Sequence, residues 1–133
     1  MDFAKIDLKA ASQRGAECHL EHPVTGELLY TDDGKAITVR VLGQDSKEFR
    51  EAVAAMAERA GKGKPSLDKS EANGIELLSQ MITDWSGIVW DGKPLDLTPE
   101  NARMFLKQFP PIRAQIDAFI ADRANFFKTT GKK

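Results

Sequence analysis

The hydrophobic period of this chain changes once, at Gly43-Gln44, and that change constrains the fold more than any other feature. Before it, apolar residues alternate with polar ones. Ala16, Cys18 and Leu20 fall on one face, Glu17, His19 and Glu21 on the other, and Ile37, Val39 and Val41 oppose Thr38 and Arg40. A period of two places successive side chains on opposite faces of a strand, so each segment reads as half-buried β-structure. After Gly43-Gln44, apolar residues recur every three or four positions, the period of a helix burying one stripe. The pattern predicts an α+β protein. A small N-terminal antiparallel three-stranded sheet, a meander over 16–42, packs against a predominantly helical C-terminal part of about four helices over 46–127.

The turns support that order. His22-Pro23-Val24-Thr25-Gly26-Glu27 separates the strand over 16–21 from one over 28–31. Asp32-Asp33-Gly34-Lys35 then leads to the strand over 36–42, and an Asp-Gly pair between strand-like runs predicts a type I′ hairpin. Ahead of the sheet, Phe3, Ile6 and Ala10 at helical spacing predict a short helix with Gly15 as its C-cap. The greasy side of the meander must be covered, and the helices downstream are the available cover.

Asp45 or Ser46 caps the first long helix, with Glu48 completing a capping box, and Phe49, Val53, Met56 and Ala60 form its buried stripe. Gly61-Lys62-Gly63-Lys64-Pro65-Ser66 cannot continue a helix and reads as a flexible linker, 61–66. The next helix starts near Asp68 or Ser70 and carries Ile75, Leu78, Ile82 and Trp85. Gly74 costs that helix roughly 1 kcal/mol relative to alanine, which predicts a neighbouring backbone that needs the space. Ile88-Val89-Trp90 reads as extended and Asp91-Gly92-Lys93-Pro94 as a turn. Thr98-Pro99-Glu100-Asn101 is the clearest helix start: threonine caps, proline takes the first position, and glutamate meets the positive dipole end. Pro110-Pro111 breaks this helix from a last one carrying Ile112, Ile116, Phe119 and Ile120. Residues 129–133 form a tail expected to be disordered.

At 133 residues the chain is one domain, 1–133. No apolar run approaches the roughly 18 residues a membrane span needs, and Met1 to Lys5 lacks a secretory pattern, which predicts a cytoplasmic protein. A single cysteine, Cys18, fits a reducing compartment. The net charge of −1 gives no general attraction to nucleic acid, although residues 98–133 hold seven basic against three acidic groups.

Candidate chemistry is sparse. Cys18, His19, Glu21 and His22 lie close in sequence, but Cys18 and His19 point to opposite strand faces and no second ligand cluster exists, so no metal is expected. Asp32, Asp33 and Asp91 sit in turns, where aspartate is favoured for backbone reasons, and no catalytic residue or cofactor site is assigned. Gly61-Lys62-Gly63-Lys64 follows a helix and lacks P-loop spacing. The aromatic residues remain. Trp85, Trp90, Phe105 and Phe109 read either as core or as anchors of a partner-binding corner between the last three helices.

The order of these pieces resembles the tail assembly chaperones of long-tailed bacteriophages and prophages. The residues are His22 to Glu27 after a strand, Val39 to Ser46 leading to a helix, Trp85-Ser86-Gly87 with Asp91-Gly92, and Thr98 to Ala102 with Ile112 to Phe127. The resemblance implies a non-enzymatic protein, absent from the mature virion, that keeps the tape measure protein soluble and helps recruit tail tube subunits. It also implies a frameshifted longer product contacting the tail tube protein, for which Gly131-Lys132 is a suitable slippage site, and compatibility with a homo-oligomer. The competing expectation is a structural tail or head-tail connector component of the virion.

Overall fold

The structure is a computed structural model that describes residues 2–60 and 66–127. The expected linker at 61–65 and tail at 129–133, including Gly131-Lys132, lie outside the described residues, while Ser66 is the N-cap of a helix.

A 3-10 turn at Phe3–Ile6 precedes helix α1 (Leu8–Arg14), with Asp2 and Asp7 as their side-chain caps. The sheet follows the α+β expectation with one change of membership. Strand β1 (Ala16–His19) pairs antiparallel with β2 (Thr38–Val41), Cys18 opposite Val39, and the other edge of β2 is taken by β3 (Ile82–Ser86). The segment Leu28–Thr31 makes two isolated bridges, Glu21 to Leu28 and Tyr30 to Ala36, rather than the middle strand of a meander. Val39 and Val41 are fully buried, so both edges of β2 need backbone partners inside the protein. β3 supplies the second. Ile82 and Thr83 are β-branched and Trp85 aromatic, residue types that favour a pleated strand. Helix α3 (Leu67–Met81) therefore stops at Met81, short of the predicted Trp85, and a bulge at Arg40/Val41 accommodates Thr83.

The two Asp-Gly turns also differ from one another. The loop Thr31–Lys35 has Gly34 at positive φ but not Asp33, and Thr31 Oγ accepts from the Lys35 amide, so it is not the expected type I′ turn. That geometry appears at Asp91-Gly92 (φ 51 and 78), which joins β4 (Val89–Trp90) to β5 (Lys93–Pro94).

Ser46 caps helix α2 (Lys47–Ala60), its hydroxyl accepting from Phe49 N at 3.1 Å. The neighbouring Asp45 instead forms a bidentate pair with Arg123, at 2.7 and 3.0 Å. Among the described side chains of α2, Ala52 is buried, Phe49 and Met56 are half-buried and Val53 is exposed, so the inward stripe of this helix, which packs on α3, runs through Ala52 in place of the predicted Val53. Helix α4 (Pro99–Gln108) is capped by Thr98 as expected, and α5 (Pro110–Ala121) follows after the single residue Phe109. Leu106, Ile116 and Ile120 meet Met81, Leu20 and the valines of β2 in one core. At its far end, the side-chain amide of Gln115 on α5 bonds both the N–H and the C=O of Glu21, at 2.9 and 2.8 Å. This ties α5 to the chain just past β1.

Candidate functional site

Four aromatic side chains from three elements form a continuous row. Phe105 on α4 and Phe109, the C-cap four residues later, have their rings side by side. Trp85 of β3 meets Phe105 edge-on at 5.6 Å between ring centroids, Phe105 meets Phe109 at 5.5 Å, and Trp90 of β4 meets Phe109 at 5.7 Å. The sequence-predicted quartet is thus brought together. Its members differ in exposure. Phe105 is buried, Trp85 and Trp90 are half-buried, and Phe109 is 37% exposed. Trp85 is pinned by its indole N–H, which donates to Leu95 O at 2.9 Å and makes it a structural post.

Beside this row opens an apolar groove of about 190 Å³. Phe105, Phe109 and Ile112 form its helical wall, while Leu20, Pro23 and Leu29 form the opposite wall. Gly87, Ile88 and Val89 run along its floor. Of the predicted quartet, Phe105 and Phe109 line the groove and the tryptophans buttress it. The hairpin wall and Val89 were not singled out by sequence, because their alternating pattern reads as ordinary sheet. The exposure of Val89 at 58% extends the apolar surface outward.

Gly87 makes the floor possible. It adopts φ +85, and a β-carbon there would lie 2.9 Å from Thr31 Cγ2 and 3.1 Å from Ile37 Cγ1.

The polar groups near the groove are engaged in holding the backbone. His19 Nε2 lies 2.8 Å from Leu29 O, and its ring stands edge-on to Tyr30 at 4.9 Å. His22 Nδ1 accepts from the amides of Val24 and Thr25, fixing the turn that carries Pro23. Burial, and then the nearby charge of Glu21, push the Cys18 thiol up to about 11, leaving it protonated and a poor metal ligand at neutral pH. Among the described residues, no three His, Cys, Asp or Glu side chains are placed to hold a metal ion. No helix among them is long and apolar enough to cross a membrane.

A family model described as YdaY prophage protein matches residues 38–132, from β2 through α5 and beyond. No curated protein and no solved structure matches the chain.

Proposed function

The chain belongs to the YdaY prophage protein family, and from this membership together with the groove we propose that it is a tail assembly chaperone of a prophage. It holds an amphipathic helical segment of the tape measure protein and helps recruit tail tube subunits during tail morphogenesis. The supporting observation is the groove itself. An apolar cleft with exposed Val89 and Phe109 among its lining residues suits the apolar stripe of a helix, one of the recurring modes of peptide recognition. The half-buried Trp90 stands behind Phe109 and holds that ring in place.

Co-expression with the tape measure protein of the same prophage tests the reading. The wild-type chain is expected to co-purify with it and keep it soluble. Val89→Asp places a charge on an exposed groove position and is expected to abolish capture while the protein still folds by circular dichroism. Trp90→Ala is expected to weaken capture by loosening Phe109. Unchanged capture by both variants would remove the groove from the proposal. The protein's presence in purified particles would favour a structural tail or connector component instead.

A further inference from the structure

Antiparallel pairing turns alternate residues of a strand toward and away from its neighbour, and among the described residues β1 has one neighbour, β2. The Leu20 amide donates to Ile37 O at 3.0 Å, so in the same register Cys18 and Ala16 turn their backbone groups to Val39 and Val41. Glu17, His19 and Glu21 therefore turn theirs outward. At Glu21 the side-chain amide of Gln115 takes both groups, making the pair of bonds that a neighbouring strand would make. Among the described residues, none bonds the outward N–H and C=O of Glu17 and His19. The strand carries neither the proline nor the lysine that blunts an exposed edge. Beside it runs a cleft of about 540 Å³, with Glu17, His19 and Glu21 on one wall and Gln115, Ala118 and Phe119 of α5 on the other. This cleft shares no lining residue with the aromatic groove. Its lining holds two carboxylates and no lysine or arginine. Arg40, which faces Glu17 across the ladder, turns its guanidinium to Arg14 O at 2.8 Å.

We infer that β1 is a strand-addition edge: it takes an extended segment of a partner protein, paired through the N–H and C=O of Glu17 and His19 and carrying lysine or arginine beside Glu17 and Glu21. The extended conformation follows from what is unpaired. A helix arrives with its own backbone groups bonded internally and offers nothing to Glu17 and His19, whereas an extended chain presents a donor and an acceptor at every second residue. Gln115 closes the ladder at Glu21, so the added strand is short. Both carboxylates are exposed, so the basic side chain sets selectivity more than affinity. The edge lies apart from the groove and does not depend on the chaperone reading.

The test uses the full chain and a synthetic peptide of about eight residues that alternates valine and threonine, which favour strands, with a lysine near each end. Amide exchange resolved by NMR is expected to be fast at Glu17 and His19 in the free protein and slow at Cys18, whose amide is bonded to β2. Saturating peptide is expected to slow Glu17 and His19 by at least about tenfold and leave Cys18 unchanged. The same peptide N-methylated at its four central residues has no donors there on either edge, and is expected to bind at least about tenfold more weakly. Glutamate in place of the lysines is expected to weaken binding about two- to fivefold at low salt. Unchanged exchange at Glu17 and His19, or binding that N-methylation leaves intact, overturns strand addition. Equal binding of the glutamate peptide overturns the basic occupant. Slow exchange at the two amides before any peptide is added overturns the outside partner: slowing that grows with protein concentration assigns the edge to a second copy, and slowing that does not assigns it to another part of this chain.

Discussion

Replacing Gly87 by alanine separates the role of the groove floor from that of a generic turn. An L-residue at φ +85 costs about 1–2 kcal/mol for the left-handed backbone alone. The new methyl would also lie 2.9 Å from Thr31 Cγ2, 3.1 Å from Ile37 Cγ1 and 3.5 Å from Ile37 Cα. Thr31 and Ile37 are both partly buried, so relief requires the hairpin wall itself to move, an overpacking cost of about 1–3 kcal/mol. The sum is a destabilisation of about 2–5 kcal/mol, or a fall in Tm of roughly 10–20 °C for a domain of this size. Gly74→Ala is the matched contrast. It lies in the middle of α3, where an added β-carbon meets nothing within 4 Å. The sequence-based expectation of a crowding backbone at Gly74 is thereby corrected: the glycine borders an open cleft between α3 and α5. Alanine there is expected to stabilise by about 1 kcal/mol. Urea and thermal unfolding followed by far-UV circular dichroism reads both variants. A Gly87→Ala midpoint equal to wild type, or a destabilised Gly74→Ala, would refute the reasoning.

Cys18 predicts an alkaline weakness. Its folded pKa of about 11 lies above the unfolded value of 9.0, so its contribution is fully present below pH 9 and is lost as pH rises from about 9 to 11. A difference of that size corresponds to roughly 2–3 kcal/mol, and urea midpoints across this range should fall for wild type and flatten for Cys18→Ala; an identical slope in both would reject the assignment. Gln115→Ala removes the two hydrogen bonds to the Glu21 backbone, and is expected to cost about 1 kcal/mol and to speed amide exchange at Glu21, measured by hydrogen–deuterium exchange; unchanged protection would show that α5 is held to this segment by packing alone.

The α+β class, the helix starts at Ser46 and Thr98 and the break at Phe109 were legible because each is set locally, by a cap, a proline or a period. The third strand was not. Ile75, Leu78, Ile82 and Trp85 continue a helical spacing past Met81, and the β-branched pair Ile82-Thr83 is a local signal too weak to outweigh that spacing. Its end is imposed from a distance by β2, whose buried edge needs hydrogen bonds that Leu28–Thr31 does not supply. Likewise, Asp33-Gly34 and Asp91-Gly92 look alike in sequence, and the difference lies in Thr31, whose hydroxyl engages both the Lys35 amide and the Asp33 carboxylate.

The same strand accounts for the groove. Once Ile82–Ser86 pairs with β2, Trp85 stands opposite Val39 and against Phe105, and Gly87 must turn the chain beneath the hairpin before Val89 and Trp90 can pair with β5. Alternation in the hairpin announces that Leu20, Leu29 and Ile37 need cover, but a period of two carries no information on whether the cover is internal. In this fold α4 and α5 provide part of it. Pro110 ends α4 at Gln108 and turns α5 away after one intervening residue, so coverage stops at Phe109 and the stretch from Pro23 to Val89 stays open. The apolar opening lies at a corner where Thr98, Pro99 and Pro110 fix the helix ends and a hydrogen-bonded Trp85 stands against Phe105. Rigid apolar clefts lose little conformational entropy on binding, which favours them as docking surfaces over gaps that close on themselves.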